Sequence, residues 1–244
     1  MRLILSIDLA YRKIEHFGVC LIEVQDGRPT KASFLSAEQL GLVPLDPRKC
    51  AKAISLYCRQ QGIHVVFLDG PQGWKDPRSK LRFRRCEVEV GAPFKVGCVG
   101  EVWPKNVQSF VEFCISIFAA LEAEGALRVV DHVIEPPVEG LLAIESFPTS
   151  AWRNLYIIPL PAKKRVQMAD IIGRLHVLEK LFGFRAGSVP DHDELQALVA
   201  GLAGVAILSR NTDGFVAHGN PPENSETGIV EGFIVNPCLN QKAA

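Results

Sequence analysis

Three short apolar runs in this chain end on a carboxylate, and this repetition constrains the fold more than any other feature. They are Leu3-Ile4-Leu5-Ser6-Ile7-Asp8, His64-Val65-Val66-Phe67-Leu68-Asp69 and Leu141-Leu142-Ala143-Ile144-Glu145. A short apolar run bounded by polar residues is the pattern of a buried strand, and a parallel strand covered on both faces needs apolar residues on both. An acid where such a strand emerges is poorly solvated unless it meets a cation, a donor or water. Taken singly, each aspartate is an ordinary turn former. A turn would as readily use Asn, Ser or Gly, so three acids at three strand ends point to a shared task.

The segments between these runs set the topology. Phe17–Val24 and Thr30–Leu35 flank Asp26-Gly27, a hairpin signal, so strands one to three are expected as an antiparallel meander. Asp46 with Pro47 reads as an N-cap with proline at the first helical position, and Gly62 as the C-terminal cap, which predicts a helix over 47–61. A strand that follows a crossover helix lies parallel to one already present. Asp8 and Asp69 would then end adjacent parallel strands about 4.8 Å apart. Two carboxylates that close repel, and a divalent cation relieves the repulsion.

Helical periodicity recurs from Pro104 to Gly125, over 163–182, and from Asp191 to Leu208, while Val129–Val133 is a further short strand or an excursion. Asp191 with Glu194 resembles a capping box, which leaves Asp193 free in the first turn; His192 is expected as a supporting histidine rather than a ligand. Residues 91–103 read as irregular chain, and Gly228–Val235 as a closing strand or hairpin arm. The expected fold is α/β: a mixed sheet of antiparallel strands one to three plus parallel strands, with helices on both faces. It forms one domain over residues 1–244 with loop insertions at about 71–103 and 210–228, and residues 240–244 are expected to fray.

Lys plus Arg and Asp plus Glu both number 27, so any attraction to nucleic acid must come from local patches. Lys75–Arg85 (KDPRSKLRFRR) is such a patch, placed just beyond the second acidic strand. A basic run is often only a solvated loop, but beside carboxylates it can hold a polyanion. Arg84 and Arg85, with Lys163 and Lys164, are the candidate phosphate contacts. The seven cysteines form no CxxC pair, which argues against structural zinc and fits a reducing compartment. No leader is read at the N-terminus and no apolar run approaches about 20 residues. A cytoplasmic protein without a membrane partner is expected, and nothing specifies its oligomeric state.

Asp8, Asp69, Glu145 and Asp193 are therefore the candidate catalytic and metal-ligating residues. An all-oxygen carboxylate site suits Mg²⁺ or Mn²⁺, and a pair of such ions supports phosphodiester cleavage. The order of an Ile-Asp strand, a Leu-Asp-Gly-Pro strand, Arg84 to Glu87, Glu145 to Pro148, a lysine-containing helix start and a late Asp-rich helix resembles the domain-of-unknown-function 429 family. That resemblance implies an RNase H-like fold and nuclease activity, with the same four acids as its acidic cluster. Gln196 stands where the family's late helix carries a second acid, and Glu87 where aspartate is usual. Two Mg²⁺ or Mn²⁺ ions are expected; the loss of an acid at 196 weakens the second site and leaves a one-ion or impaired enzyme as the alternative. Two other readings compete. One is a non-catalytic binding protein that keeps the fold. The other is an actin-like ATP-dependent phosphotransferase, disfavoured because the first turn, Leu9-Ala10-Tyr11-Arg12-Lys13, has no glycine to cradle phosphate.

Overall fold

The computed structural model describes residues 1–93, 95–226 and 228–239; the expected fraying of 240–244 lies outside them. The chain opens with strands β1 (Arg2–Asp8), β2 (Gly18–Gln25) and β3 (Arg28–Phe34), followed by helix α1 (Pro47–Gln61) and strand β4 (Val65–Asp69). Next come α2 (Arg85–Glu89), β5 (Lys95–Val96), β6 (Val102–Trp103), α3 (Gln108–Ala123), β7 (Leu127–Arg128), β8 (Leu142–Ser146) and α4 (Pro148–Asn154). The chain closes with α5 (Met168–Phe182), β9 (Arg185–Ala186), α6 (His192–Gly201), α7 (Ala203–Leu208), β10 (Phe215–Ser225) and β11 (Gly228–Pro237).

The main sheet runs β10-β11-β8-β4-β1-β2-β3-β9, with β7 paired to β8. β1, β2 and β3 form the expected antiparallel unit, and β1, β4 and β8 are parallel neighbours. Alternation along the strands divides the core in two. Ile4, Phe67 and Ile144 pack with Trp152, Leu178, Leu195 and Leu198 on one face. On the other, Leu5, Ile7, Val66 and Leu68 pack with Ile54 and Cys58 of α1 and Cys114, Ile117 and Phe118 of α3. Helices therefore cover both faces of a mixed sheet.

Local signals account for most boundaries. Asp46 accepts a hydrogen bond from Lys49 N, and Gly62 ends α1 in the left-handed conformation at φ 64°. Asp191 and Glu194 form the expected capping box. α5 begins at Met168 rather than 163, because Gln167 and Asp170 form their own box; Lys163–Arg165 lie in the turn before the helix and do not oppose its dipole. Pro148 ends the strand by starting α4 at its first position. The expected irregular region 91–103 carries the small β5–β6 ribbon, and the expected 210–228 insertion is mostly β10. β10 runs through Pro221-Pro222 because it is the edge strand and its pairing shifts register between Asn220 and Glu223. The stretch Lys105–Ala123 is apolar enough to cross a membrane by length and composition alone, contrary to expectation. Its buried Val111, Cys114, Ile117, Phe118 and Leu121 make it equally a core helix.

Candidate active site

Asp8 and Asp69 stand level in the sheet: they are register partners on parallel β1 and β4, and their carboxyls hydrogen-bond to each other. On its other side Asp8 pairs with Gly18 of β2. A β-carbon at Gly18 would overlap the Asp193 carbonyl and the Glu194 nitrogen. The missing side chain lets the start of α6 settle onto the sheet there. Gly201 and Gly204 allow the same close approach over Ser6 and over Ile4 and Phe67. Small residues along α6 and α7 thus lay the helices on β1 and deliver Asp193 beside Asp8.

The two aspartates are proton-binding groups in this setting. Burial, then the charges of Asp69 and Asp193, push the Asp8 carboxyl well above its ordinary value. Burial raises Asp69 to about 7, with a further contribution from Glu145, against the lowering effect of its bond to Asp8. Beneath them lies α3. A β-carbon at Gly70 would overlap the Cys114 thiol, whose own pKa is pushed up by burial and the nearby acids.

Asp193 is in a different state. Its Oδ1 receives His192 Nδ1 at 2.8 Å, and its Oδ2 pairs with the Lys163 ammonium. Burial alone would raise its pKa, but the bonds from His192 and Lys163 hold it below the usual carboxylate value. His192 Nε2 faces the Pro161 carbonyl at 3.2 Å, which ties the 161–163 segment to the start of α6. His192 is therefore a supporting residue, as expected.

Glu145 departs from the expected cluster. β8 continues to Ser146, and Ser146, not Glu145, is level with Asp69. Glu145 sits one residue back, so alternation directs it to the opposite face from Asp8 and Asp69. There the Arg84 guanidinium donates to both of its oxygens, at 2.6 and 2.8 Å, and Gln72 N donates at 2.9 Å. Arg84 also holds Glu87 at 2.9 Å, with every partner in this triad almost wholly buried. Arg84 is thus an interior counter-ion, which corrects its expected role as a phosphate contact. Gln196 likewise serves the core, its carbonyl accepting from Trp152 Nε1 at 2.7 Å. Arg85 pairs with Glu89 at 2.7 Å on the surface, and Lys164 is exposed.

The loop leaving β4 has a pinned base. The buried Glu231 carboxylate accepts Asp76 N at 3.1 Å and Arg85 N at 3.2 Å, while Glu145 takes Gln72 N and Arg84. The exposed tip between them presents Lys80 and Arg82, neither ion-paired among the described residues; Arg82 lies over the Phe83 ring, 5.1 Å from its centre. A basic run read without its fold suggests phosphate contacts at 84 and 85, whereas the free cations lie a few residues earlier. Arg78, by contrast, is spent on Asp76 and Glu223.

A cation therefore finds only part of the expected ligand set open. Among the described residues, no group of three or more His, Cys, Asp or Glu side chains is arranged to hold a metal ion. Asp8 and Asp69 remain, with the buried and unpartnered Ser146 Oγ on the adjacent strand at Asp69's level. Two carboxylates suffice for Mg²⁺, which keeps several waters and takes its other ligands from substrate phosphate. Asp8 and Asp69 are the acids left open to an ion; Glu145, expected as a further ligand, has no free carboxylate oxygen. A small cleft at the ends of β4 and β8 is lined by Asp69, Ser146 and Phe147 together with Arg84, Glu87 and Glu145, and Asp8 is not part of its lining. No family model, curated protein or solved structure matches the chain.

Proposed function

We propose that this chain is a divalent-metal-dependent phosphodiester hydrolase acting on nucleic acid, with an RNase H-like arrangement and a likeness to the domain-of-unknown-function 429 family. The single observation that carries the reading is the level Asp8–Asp69 pair on adjacent parallel strands. Two acids in contact at strand ends are costly unless a cation or a proton joins them. In open α/β sheets the carboxyl ends of the strands are where ligands bind.

Asp8 and Asp69 would hold one Mg²⁺ or Mn²⁺. Such an ion supplies Lewis acidity toward phosphate and lowers the pKa of bound water. The protein's own groups do the rest. His192 orients Asp193, Ser146 offers a hydroxyl beside Asp69, and Lys80 and Arg82 steer the polyanion by charge. Arg84 keeps the base of the basic loop in place by neutralising Glu145 and Glu87.

Incubation of a labelled polynucleotide with the protein and Mn²⁺ or Mg²⁺ tests the activity. Cleavage that chelator stops and Asp8→Asn abolishes is the expected result. Full cleavage by Asp8→Asn would remove the site from the reaction. Salt-sensitive, metal-independent binding without cleavage would favour the non-catalytic reading.

A further inference from the structure

We infer that the rim around the Asp8–Asp69 strand ends is a stacking surface for unpaired bases, so that the polynucleotide taken is single-stranded. This rests on the nucleic-acid reading of the site and names its substrate class. The starting observation is an exposed indole. Val96 of β5 and Val102 of β6 are register partners, buried with Trp74, Val111 and Val230. Alternation turns Lys95 and Trp103, the neighbouring partners, to the outer face of this ribbon. Lys95 donates to the carbonyls of Glu87 and Ala92. Trp103 is 61% exposed, whereas Trp74 and Trp152 are buried.

Trp103 belongs to a rim that can be followed from Asp69 round to Asp8. Arg84 lines the cleft at Asp69, and its N–H donates to the Val96 carbonyl at 3.2 Å, which joins the basic loop to the ribbon. From β6 the chain passes through Pro104 and the turn Lys105–Val107 into α3. In the first turn of α3, Phe110 meets Tyr11 with ring centres 6.1 Å apart, and Tyr11 stands in the loop by which the chain leaves β1 at Asp8. Two rings on this path carry a cation. The Arg12 guanidinium lies 5.0 Å from the centre of the Tyr11 ring, and that of Arg82 5.1 Å from Phe83. Tyr11 and Phe83 are half-buried, while Arg12, Arg82 and Lys105 are exposed. A ring beside a cation offers a face to a base and a charge to its phosphate, and every base has such a face to give. Duplex keeps its bases stacked on one another and is held chiefly through its phosphates. Here the cations stand singly beside rings in a chain of balanced charge, which favours the single strand.

Equilibrium binding by the full chain in the presence of chelator keeps recognition apart from cleavage, and a thermal melt checks that each variant is folded. The probes are an oligothymidylate, an oligouridylate, and the oligothymidylate annealed to its complement. Either single strand should bind about tenfold more tightly than the duplex and should quench tryptophan emission. Trp103→Ala should weaken single-strand binding about tenfold, the worth of one stacked base. It should leave the slope of log K against log salt unchanged, because no charge is removed. Quenching should vanish in the same variant, since the remaining tryptophans are buried, and Trp103→Phe should keep most of the affinity. Single-strand binding by folded Trp103→Ala equal to that of the parent would overturn the inference and leave the nucleic-acid reading intact. Duplex bound as tightly as the single strands would overturn the substrate class. Absence of binding of all three probes by the parent would overturn the nucleic-acid reading together with the inference.

Discussion

Asp8 and Asp69 face one another at the same register of two parallel strands, and their carboxyls hydrogen-bond. Each is held above its unfolded pKa, Asp69 at about 7. The folded protein therefore keeps a proton that the unfolded chain has already released above about pH 4. The pair's contribution to stability is full below that value and is lost as pH rises through about 7. Thermal melts of ion-free protein should show a falling midpoint between about pH 5 and 8. Asp8→Asn should flatten this dependence and stabilise the fold at about pH 8 by about 1 kcal/mol or more, one pKa unit being about 1.4 kcal/mol. A parallel pH profile in the variant would count against the shared proton.

Arg84 satisfies Glu145 and Glu87 together in the interior. Removal of one partner leaves buried charge unpaired, so Arg84→Met should cost about 3–5 kcal/mol. Urea unfolding measures this directly. A loss below about 1 kcal/mol would mean that the triad is not the anchor of the 72–87 segment.

Gly18 is where α6 meets the sheet, and any β-carbon there overlaps the Asp193 backbone. Gly18→Ala should destabilise the protein by about 1–3 kcal/mol through overpacking. Unchanged unfolding would contradict this account of the helix start.

Lys80 and Arg82 carry the unpaired charge at the loop tip. Alanine at both should weaken polynucleotide binding and lower the slope of log K against log salt by about 2, roughly one for each phosphate no longer neutralised. Arg85→Ala, which breaks a surface pair with Glu89, should change that slope less. Filter binding across a salt series reads both.

What is legible in the sequence is local. The cap at Asp46, the proline at 47 and Gly62 are short-range signals, and α1 runs over the expected 47–61. The apolar runs ending at 8 and 69 pair in parallel because a crossover helix lies between them. Register parity is not local. Glu145 closes an apolar run as Asp8 and Asp69 do, yet β8 continues one residue further and turns it to the other face. Nor does a basic run disclose which of its arginines points inward. Arg84 does so because Glu87 and Glu145 meet it from positions 3 and 61 residues away. Lys163 stands out in the sequence for its charge, while its partner 30 residues on is not readable from spacing.

The central claim concerns what joins Asp8 to Asp69, and the position of a bound ion tests it most directly. Crystals grown with Mn²⁺ and measured at the manganese edge should give one anomalous peak, liganded by Asp8 and Asp69, with none at Glu145. A peak elsewhere, or none at saturating Mn²⁺ with the two carboxyls still bonded to each other, would contradict it.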